Sequence, residues 1–343
     1  MIDCTHCGVQ RAAKAIGLCV DCLRASTHDD LIDLHALSRK RYELPLRPPQ
    51  HGEVSCKFCA NECRMAPGEL GYCGLRYHEA GRRRTRFPKN QSLAYMYLDP
   101  LPTNCCAAWF CEGSHERGYN LAVFFYGCNF DCLYCQNSSH KEIAGAPGIS
   151  VEELVGAALD PRVRCICYFG GSPEPQFPFA LQVSRRIIQE SGNRKRICWE
   201  WNGCGNPVLV RKAAELSWRS GGTVKFDLKC FHPNLSSALC GVSNRRAFEN
   251  FSMIAEAGYR EVLTATTLLV PFYVDAAEVE SIARFISAVD RNIPYSLLVF
   301  HPDFFLKDLP ITPRKQVEEC YRAAKAHLEN VNVGNKHLLG LVD

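Results

Sequence analysis

Three cysteines within eight positions are the first residues of this chain whose type and spacing could do chemistry. Cys128, Cys132 and Cys135 lie in YGCNFDCLYCQN, residues 126–137, with the spacing C-x3-C-x2-C. Such a trio could hold zinc, hold an iron–sulfur cluster, or fill space as small buried apolar side chains. A closed tetrahedral site takes four protein ligands. Three thiolates on a metal centre would therefore leave one position open to another molecule.

Other cysteines cluster nearer the start of the chain. The C-x2-C pairs CTHC and CVDC match a zinc-ribbon-like module, for which we expect structural zinc. The segment CKFCANECRMAPGELGYCG could close a zinc site or hold an iron–sulfur cluster. The predicted metal ligands of these two groups are Cys4, Cys7, Cys19 and Cys22, then Cys56, Cys59, Cys63 and Cys73. For Cys105, Cys106 and Cys111, core packing is at least as good an explanation, because adjacent cysteines rarely both bind one metal.

Composition limits the kind of protein this can be. The 343 residues, 47% of them apolar, suffice for one large domain with one or two small ones. A formal charge of +4 gives no strong case for nucleic acid or an anionic membrane as partner. The start MIDCTHCGVQ lacks a secretory pattern, and no run approaches the ~18 apolar residues of a membrane span. With 21 cysteines besides, we expect a soluble cytoplasmic protein that binds metal.

From residue 121 onward, short apolar runs alternate with amphipathic stretches. The predicted strands are 121–126, 164–169, 196–201, 223–229, 261–270 and 295–300, with another near 330–335. The predicted helices are 150–159, 177–191, 207–219, 244–257, 275–289 and 312–328. Ser150 and Thr312 are candidate helix start signals. Six strand–helix units predict an α/β fold, most simply a partial (β/α)6 TIM-like barrel, with a flat doubly wound sheet as the alternative.

The domain organisation follows from these patterns. Residues 1–45 are predicted to form the zinc-ribbon-like module and a helix, with Leu31, Leu34 and Leu37 on one face. Residues 46–120 hold the second cysteine-rich module and the connection to the barrel, and residues 121–343 form the barrel. The fold class is therefore a barrel preceded by N-terminal cysteine-rich metal-binding modules.

The ends of the predicted strands carry polar or glycine-rich sequence. The trio follows the first strand, and GGSPEP, NGCGNP, DLK and FHP end or follow the second, third, fourth and sixth strands. In barrels of this kind, the active site lies at the carboxyl ends of the strands. We therefore expect these segments to meet at one site.

The trio, placed after the first strand of a six-unit barrel, resembles the radical SAM superfamily. The likeness is to its glycyl-radical activating-enzyme-like branch and, through GCNFDCLYCQN, DLKCFHPNLSSALCG and FHPDFFLKDLPITP, most of all to the AmmeMemoRadiSam group. It implies an oxidoreductase in which Cys128, Cys132 and Cys135 hold a [4Fe–4S] cluster and S-adenosylmethionine binds the open iron. Electron transfer then cleaves S-adenosylmethionine to methionine and a 5′-deoxyadenosyl radical, which takes hydrogen from a substrate.

The resemblance also implies roles for the strand ends. GGSPEP is similar to a glycine-rich segment that meets the methionine amino group, although Ser172 and Pro173 depart from the common form. The implied cofactor-binding residues are Tyr134, Gly170, Gly171, Ser172, Glu174, Asn202, Asp227, Lys229 and His301. The likeness further implies a monovalent cation near Glu200 and Asp227, with Glu200 in place of an aspartate.

Three functions compete at this point. The first is hydrogen abstraction from a residue of a partner protein or peptide, for which an incomplete barrel leaves an open side. The second is radical modification of a small metabolite, and the third is a non-catalytic zinc or iron–sulfur scaffold. Either enzyme would need reduced flavodoxin or ferredoxin as its electron donor, whereas the scaffold predicts no cleavage of S-adenosylmethionine.

Overall fold

A nine-stranded sheet forms the frame of the protein, and the computed structural model describes residues 1–340. The strands are β1 Ile2–Asp3, β2 Arg11–Ala12, β3 Val54–Ser55, β4 Arg64–Met65, β5 Arg76–Glu79, β6 Arg82–Thr85, β7 Gln91–Pro100, β8 Tyr119–Phe125, β9 Gly148–Ser150, β10 Val163–Gly170, β11 Arg196–Trp201, β12 Val224–Asp227, β13 Leu263–Leu269, β14 Tyr295–Val299 and β15 Val331–Gly334. The α-helices are α1 Val20–Ala25, α2 His28–Ile32, α3 Ala36–Arg41, α4 Val151–Ala158, α5 Phe177–Ser191, α6 Pro207–Ser220, α7 Pro233–Cys240, α8 Arg245–Ile254, α9 Ala276–Val289 and α10 Arg314–Lys325.

The large sheet is parallel over most of its width. Its order is β15-β14-β13-β12-β11-β10-β8-β7-β9, and all neighbours from β8 to β15 are parallel. β7 runs antiparallel to β8, and β9 runs antiparallel to β7. Within residues 1–340 the sheet has two edges, β15 and β9, and does not close. The structure therefore confirms the predicted partial (β/α)6 TIM-like barrel, to which β15 adds one more parallel strand.

Alternation along the strands separates an outer face, covered by helices, from an inner face. On the outer face, Tyr168 and Trp199 are fully buried and their ring centroids lie 4.6 Å apart. The indole nitrogen of Trp199 donates to the carbonyl of Ala213 in α6, at 3.1 Å, so this side chain points toward the helix layer. Since side chains alternate in a strand, Cys167, Cys198 and Glu200 point to the inner face.

The predicted elements of the barrel are present, with ends that shift by at most three residues. Ser150 caps α4 as expected, because its hydroxyl accepts from the Glu153 amide at 3.2 Å and the Glu153 carboxylate accepts from the Ser150 amide at 2.7 Å. The prediction for Thr312 is wrong. Pro313 is the cap of α10, and the Thr312 hydroxyl instead accepts from the Phe300 amide at 2.7 Å.

Two elements near the site were not predicted. β7 joins the large sheet, although the sequence analysis placed residues 91–100 in the connection to the barrel. α7 follows β12, starts at Pro233 and ends before Gly241, whose φ of +76° lies in the left-handed region. Proline at the start and glycine after the end were sequence signals for this helix.

The N-terminal helical segment differs from its prediction. It consists of the short helices α2 and α3 with one 3-10 turn between them. Leu31 is buried, but Leu37 is 71% exposed, so the predicted leucine face is wrong. The buried face instead carries His35, Ser38 and Arg39.

The second cysteine-rich module contains two hairpins, β3 with β4 and β5 with β6, and its four cysteines are all buried. The last residues of the predicted barrel, 341–343, lie outside the described residues. No helix formed by residues 1–340 is long and apolar enough to span a membrane.

Candidate functional site

The three-cysteine loop, residues 126–137, follows directly on β8 and is fixed by α7. The amides of Asp131 and Leu133 donate to the last two carbonyls of α7, at 2.8 and 2.9 Å. Of the three cysteines in the loop, Cys128 is buried and the other two are partly exposed. The trio therefore lies at the carboxyl end of β8, held from below by a helix end.

One cleft brings the trio together with the ends of neighbouring strands. It encloses about 980 Å³ of space between protein atoms, part of it open to solvent. All three cysteines line it, as do side chains from β10 to β14. The predicted cofactor-binding residues that line the cleft are Tyr134, Gly170, Gly171, Ser172, Asn202, Asp227 and Lys229. The structure thus brings most of the predicted site into one place.

Two glycines let the tip of β10 approach the three-cysteine loop. Gly170 has a φ of +106°, which side-chain-bearing residues rarely adopt. A Cβ on Gly171 would lie 2.3 Å from the carbonyl oxygen of Gly127. The backbones of the two segments can therefore pack directly against each other, and Gly170 and Gly171 line the cleft without side chains.

Glu174 lies behind the lining of the cleft rather than in it. It is fully buried, and burial raises the pKa of its carboxyl to about 7. Its Oε1 accepts from the Gly203 amide at 2.9 Å, and its Oε2 accepts from the Ser172 hydroxyl. These bonds place the Glu174 carboxylate between the ends of β10 and β11, and its cofactor contact stays a prediction.

Asn129 is a site residue that the sequence analysis missed. Asn202 Nδ2 donates to Asn129 Oδ1 at 2.7 Å and to Ser172 Oγ at 3.0 Å. Asn129 Nδ2 in turn donates to the Cys204 carbonyl at 3.2 Å. These bonds join the three-cysteine loop to the tips of β10 and β11. The position of Asn129 directly after Cys128 was the available signal.

A protein ammonium lies where a monovalent cation was predicted. Lys225 Nζ is 2.9 Å from Glu200 Oε2 and 4.0 Å from Asp227 Oδ1. Asp227 also pairs with Lys229 at 2.7 Å. Although burial opposes it, these two ammonium groups lower the pKa of Asp227. The monovalent cation at Glu200 and Asp227 stays a prediction, and such an ion would have to share these carboxylates with Lys225 and Lys229.

His301 does not reach the cleft. It follows β14, its side chain is 52% exposed, and its nearest charged partner is Asp303 at 3.9 Å. The cleft lining includes Leu298 of β14 but not His301. His301 therefore lies outside the cleft lining in this structure, and its cofactor contact stays a prediction.

A buried ionic network under the three-cysteine loop was also missed. Asp131 is fully buried and accepts from Lys141, from Ser38 at 3.1 Å and, through its Oδ2, from His35 Nδ1 at 3.0 Å. Arg39 lies 3.7 Å from the same carboxylate. Burial opposes ionisation, yet Lys141, His35 and Arg39 lower the pKa of Asp131 far below its usual range. The N-terminal segment thus holds the residue just before Cys132.

The zinc-ribbon-like module gathers its four thiols closely. The sulfurs of Cys4, Cys7, Cys19 and Cys22 all lie within 4.8 Å of one another. Cys7 and Cys19 are separated by 3.8 Å between sulfurs, which is about the S···S distance that Zn–S bonds of ~2.3 Å give in a tetrahedron. Burial would raise the pKa of the Cys4 thiol, but hydrogen bonds from backbone amides, including that of Cys19, lower it to about 6. This geometry suits one zinc ion.

The other two predicted metal sites are wider. Across residues 1–340, no other three metal-binding atoms of His, Cys, Asp or Glu lie within 4.8 Å of one another. The thiols of Cys56, Cys59, Cys63 and Cys73, and likewise those of the trio, are therefore spaced more widely than the thiols of the ribbon. In a [4Fe–4S] cluster each thiolate binds a different iron, so such a cluster needs wider sulfur spacing than one ion does.

Residues 122–286, from β8 to α9, match the model of the radical SAM superfamily. They form a radical SAM domain. The predicted family is thereby confirmed, and the protein is a radical SAM enzyme. The superfamily implies a [4Fe–4S] cluster and S-adenosylmethionine as its cofactors.

Relatives refine the branch of the superfamily. An uncharacterized protein of Methanocaldococcus jannaschii is 24% identical over 82% of this chain and 81% of its own length. The pyruvate formate-lyase-activating enzyme of Clostridium pasteurianum is 23% identical over 62% of this chain and 92% of its own length. The isethionate sulfite-lyase activating enzyme of Desulfovibrio desulfuricans is 32% identical over 38% of this chain and 40% of its own length. These names confirm the activating-enzyme-like branch, and the closer likeness to the AmmeMemoRadiSam group stays a prediction.

The residues of the radical SAM domain fit these cofactors. Three thiols are spaced more widely than single-ion ligands and all face one cleft. A fourth thiol, Cys240, contacts Cys132 from beneath and lies outside the lining of the cleft. The side of the trio that faces the cleft is therefore free to take a ligand that is not protein.

Proposed function

We propose that this radical SAM enzyme holds its [4Fe–4S] cluster through Cys128, Cys132 and Cys135 and binds S-adenosylmethionine in the adjoining cleft. The convergence of the trio and the polar strand ends on one cleft is the observation that supports this most. When bound, the cluster supplies the electron that cleaves S-adenosylmethionine to methionine and a 5′-deoxyadenosyl radical, which takes hydrogen from a substrate.

The strand ends have complementary chemistry for the parts of S-adenosylmethionine. The bare backbone at Gly170 and Gly171, with the Ser172 hydroxyl, would accept the methionine amino group. The ammonium of Lys229 and the carboxylate of Asp227 would take the methionine carboxylate and the ribose hydroxyls. Tyr134 would flank the adenine, because it lines the cleft while its hydroxyl contacts the Cys240 sulfur at 3.5 Å. Asn202 keeps the tips of β10 and β11 in register with the trio.

We propose a residue of a protein or peptide as the substrate. Relatives named as activating enzymes of two lyases favour a protein substrate. The unclosed sheet supports the same choice, because a cleft that is partly open to solvent can admit a chain segment. The enzyme would then position that segment and exclude water from the reacting carbon.

The electron donor follows from the one-electron chemistry. We propose a reduced flavodoxin or ferredoxin, since both are soluble low-potential carriers. All 21 cysteines are free thiols in the structure, which favours a reducing compartment and hence the cytoplasm.

Formation of 5′-deoxyadenosine tests the proposed function. The chain is reconstituted anaerobically with iron and sulfide, mixed with S-adenosylmethionine and reduced with dithionite. We expect 5′-deoxyadenosine and methionine in equal amounts, and none without dithionite. A reconstituted, reducible cluster that releases no 5′-deoxyadenosine under any reductant, including reduced flavodoxin, would contradict the proposal.

Structural zinc in the N-terminal module gives a separate prediction. We propose that Cys4, Cys7, Cys19 and Cys22 bind zinc, while the metal at Cys56, Cys59, Cys63 and Cys73 is zinc or an auxiliary iron–sulfur cluster. Cys4→Ala and Cys19→Ala are expected to lose one zinc per chain, because three ligands hold zinc less tightly than four. Elemental analysis checks this, with Cys320→Ala as the control for losing a buried thiol outside any proposed site. Full zinc retention in both variants would contradict the ribbon.

We propose that the Lys225 ammonium, rather than a metal cation, supplies the positive charge at Glu200 and Asp227. The unmodified enzyme should release 5′-deoxyadenosine at the same rate in sodium, potassium or tetramethylammonium buffers. Lys225→Met should release it more slowly and respond to small cations, because two carboxylates are then left with Lys229 alone. Lys212→Met, on the outer helix α6, is the matched control. A requirement of the unmodified enzyme for sodium or potassium would contradict the assignment.

A further inference from the structure

A second cavity lies inside the barrel, below the cleft described above. It comprises about 680 Å³ of space between protein atoms, part of it open to solvent. Six of its eighteen lining residues are cysteines, whereas cysteine is 21 of 343 residues in the whole chain. The six, which we call the thiol chamber, are Cys105, Cys106, Cys111, Cys165, Cys167 and Cys198. The cavity is therefore lined by far more thiols than the average composition of the chain would place there.

Three of these cysteines come from the inner face of the sheet. Cys165 and Cys167 stand two residues apart on β10, so both point to the same face. Cys167 is paired in register with Cys198 on the adjacent strand β11. The intervening Ile166 is fully buried on the opposite, helix-covered face. The barrel therefore presents these thiols inward, where its strands begin.

The other three come from the 101–118 loop, which joins β7 to β8. Trp109 of this loop donates from its indole nitrogen to the Ser296 hydroxyl on β14, at 3.0 Å. Glu116 forms an ion pair with Arg196 at the start of β11. The Ser114 hydroxyl donates to the carbonyl of Cys111 at 2.7 Å. The loop is thus fixed across the amino ends of the strands, with its cysteines facing those of the sheet.

All six thiols line one cavity, and electrostatic interactions link each pair among four of them, Cys105, Cys111, Cys165 and Cys198. Burial first, and then Cys198, Glu200 and Cys111, raise the pKa of Cys105 to about 12. Burial likewise raises the pKa of Cys165 to about 12, with contributions from Cys111 and Cys105. Burial, Cys165 and Cys111 raise the pKa of Cys198. For Cys106 and Cys167, Glu200 is the charged group that contributes most to raising the pKa of the thiol, and Cys167 also interacts with Cys198 and Cys105.

We propose that Cys105, Cys111, Cys165 and Cys198 hold an iron–sulfur cluster in the thiol chamber. Four cysteines are the ligand set of both [2Fe–2S] and [4Fe–4S] clusters. A single zinc ion fits less well, because no three of these sulfurs lie within 4.8 Å of one another. The adjacent pair Cys105 and Cys106 supplies only one ligand, since Cys106 donates to Glu200 Oε1 at 2.9 Å.

The chamber adjoins the cleft of the radical SAM domain. Glu200 and Phe169 line both cavities, and Glu200 bonds Cys106 on one side and Lys225 on the other. A cluster in the chamber would therefore be separated from the cleft by one layer of inward side chains. Its ligands are distinct from the trio, so the two centres can be removed independently.

Iron counting in a background without the trio tests the proposal. In the chain with Cys128→Ala, Cys132→Ala and Cys135→Ala, any metal at Cys56 to Cys73 is the same in all arms. Adding Cys105→Ser and Cys198→Ser should lower reconstituted iron and acid-labile sulfide by about two or four atoms each per chain. The matched control adds Cys230→Ser and Cys320→Ser, both fully buried and outside the chamber, and should leave the count unchanged.

A second variant keeps the proposal testable if the chain with Cys105→Ser and Cys198→Ser does not fold. Cys111 is partly exposed on the 101–118 loop, so Cys111→Ser should fold. It should lower the iron count or change the paramagnetic spectrum of the reduced chain. Unchanged iron in the folded variants, or zinc in the chamber in place of iron, would overturn the proposal. Formation of 5′-deoxyadenosine by the unmodified enzyme depends on the trio, so failure of that function would be seen separately.

Discussion

Cys132→Ala is expected to abolish both the paramagnetic signal of the reduced active-site cluster and all release of 5′-deoxyadenosine. Cys132 is the central thiol of the trio, and it lines the cleft. Hydrogen bonding with Cys240 first, and then the nearby ammonium groups of Lys229 and Lys141, lower its pKa, which favours the thiolate that binds iron. Two remaining thiols cannot keep the cluster in place against solvent. Electron paramagnetic resonance and product analysis after dithionite reduction measure both effects.

Cys240→Ala is the matched control for this prediction. Cys240 ends α7, is fully buried, and contacts both Cys132 and the Tyr134 hydroxyl, yet it does not line the cleft. Its replacement should therefore keep the cluster and most of the 5′-deoxyadenosine release. Normal release of 5′-deoxyadenosine by Cys132→Ala would contradict the assignment of the trio as the cluster ligands. Loss of the cluster in Cys240→Ala would instead identify a fourth protein ligand and close the position proposed for S-adenosylmethionine.

The barrel and the trio were predictable because both depend on local patterns. Alternating apolar runs and amphipathic stretches fix the strand–helix units, and the rule for parallel barrels places their carboxyl ends together. The close spacing of Cys128, Cys132 and Cys135 needs no long-range information. The structure confirms the fold class, and it gathers the trio and seven of the predicted cofactor-binding residues in one cleft.

The features of the site that could not be predicted from the sequence depend on the directions of individual side chains. Asp227 and Lys225 stand two residues apart on β12, so both face inward, but only the register with β11 brings Lys225 to Glu200. Glu174 turns behind the cleft because the Gly203 amide and the Ser172 hydroxyl satisfy it there. His301 lies beyond the end of β14, where no strand constrains its direction.

Asp131→Asn is expected to loosen the three-cysteine loop and to destabilise the protein by roughly 3–5 kcal/mol, as removal of one partner from a buried ionic group does. The change leaves the buried cations Lys141 and Arg39 without a counter-charge. The Arg39 guanidinium also donates to the Tyr72 carbonyl, and its central carbon lies 3.7 Å from the centroid of the Tyr72 ring. Tyr72 directly precedes Cys73 of the second cysteine-rich module. One carboxylate therefore joins the N-terminal helices, the second module and the loop that carries Cys132.

Guanidinium unfolding and iron retention after gel filtration measure the two consequences. Asp131→Asn should unfold at a lower guanidinium concentration and lose iron faster than the unmodified chain. Asp33→Asn is the control, because it removes a carboxylate from the same helical segment, but one that is 70% exposed and 3.8 Å from Arg47. Exposed ion pairs contribute little to stability, so the midpoint of guanidinium unfolding should hardly change in Asp33→Asn. Equal behaviour of the two variants would mean that the buried network does not hold the loop, and that the N-terminal helices dock without it.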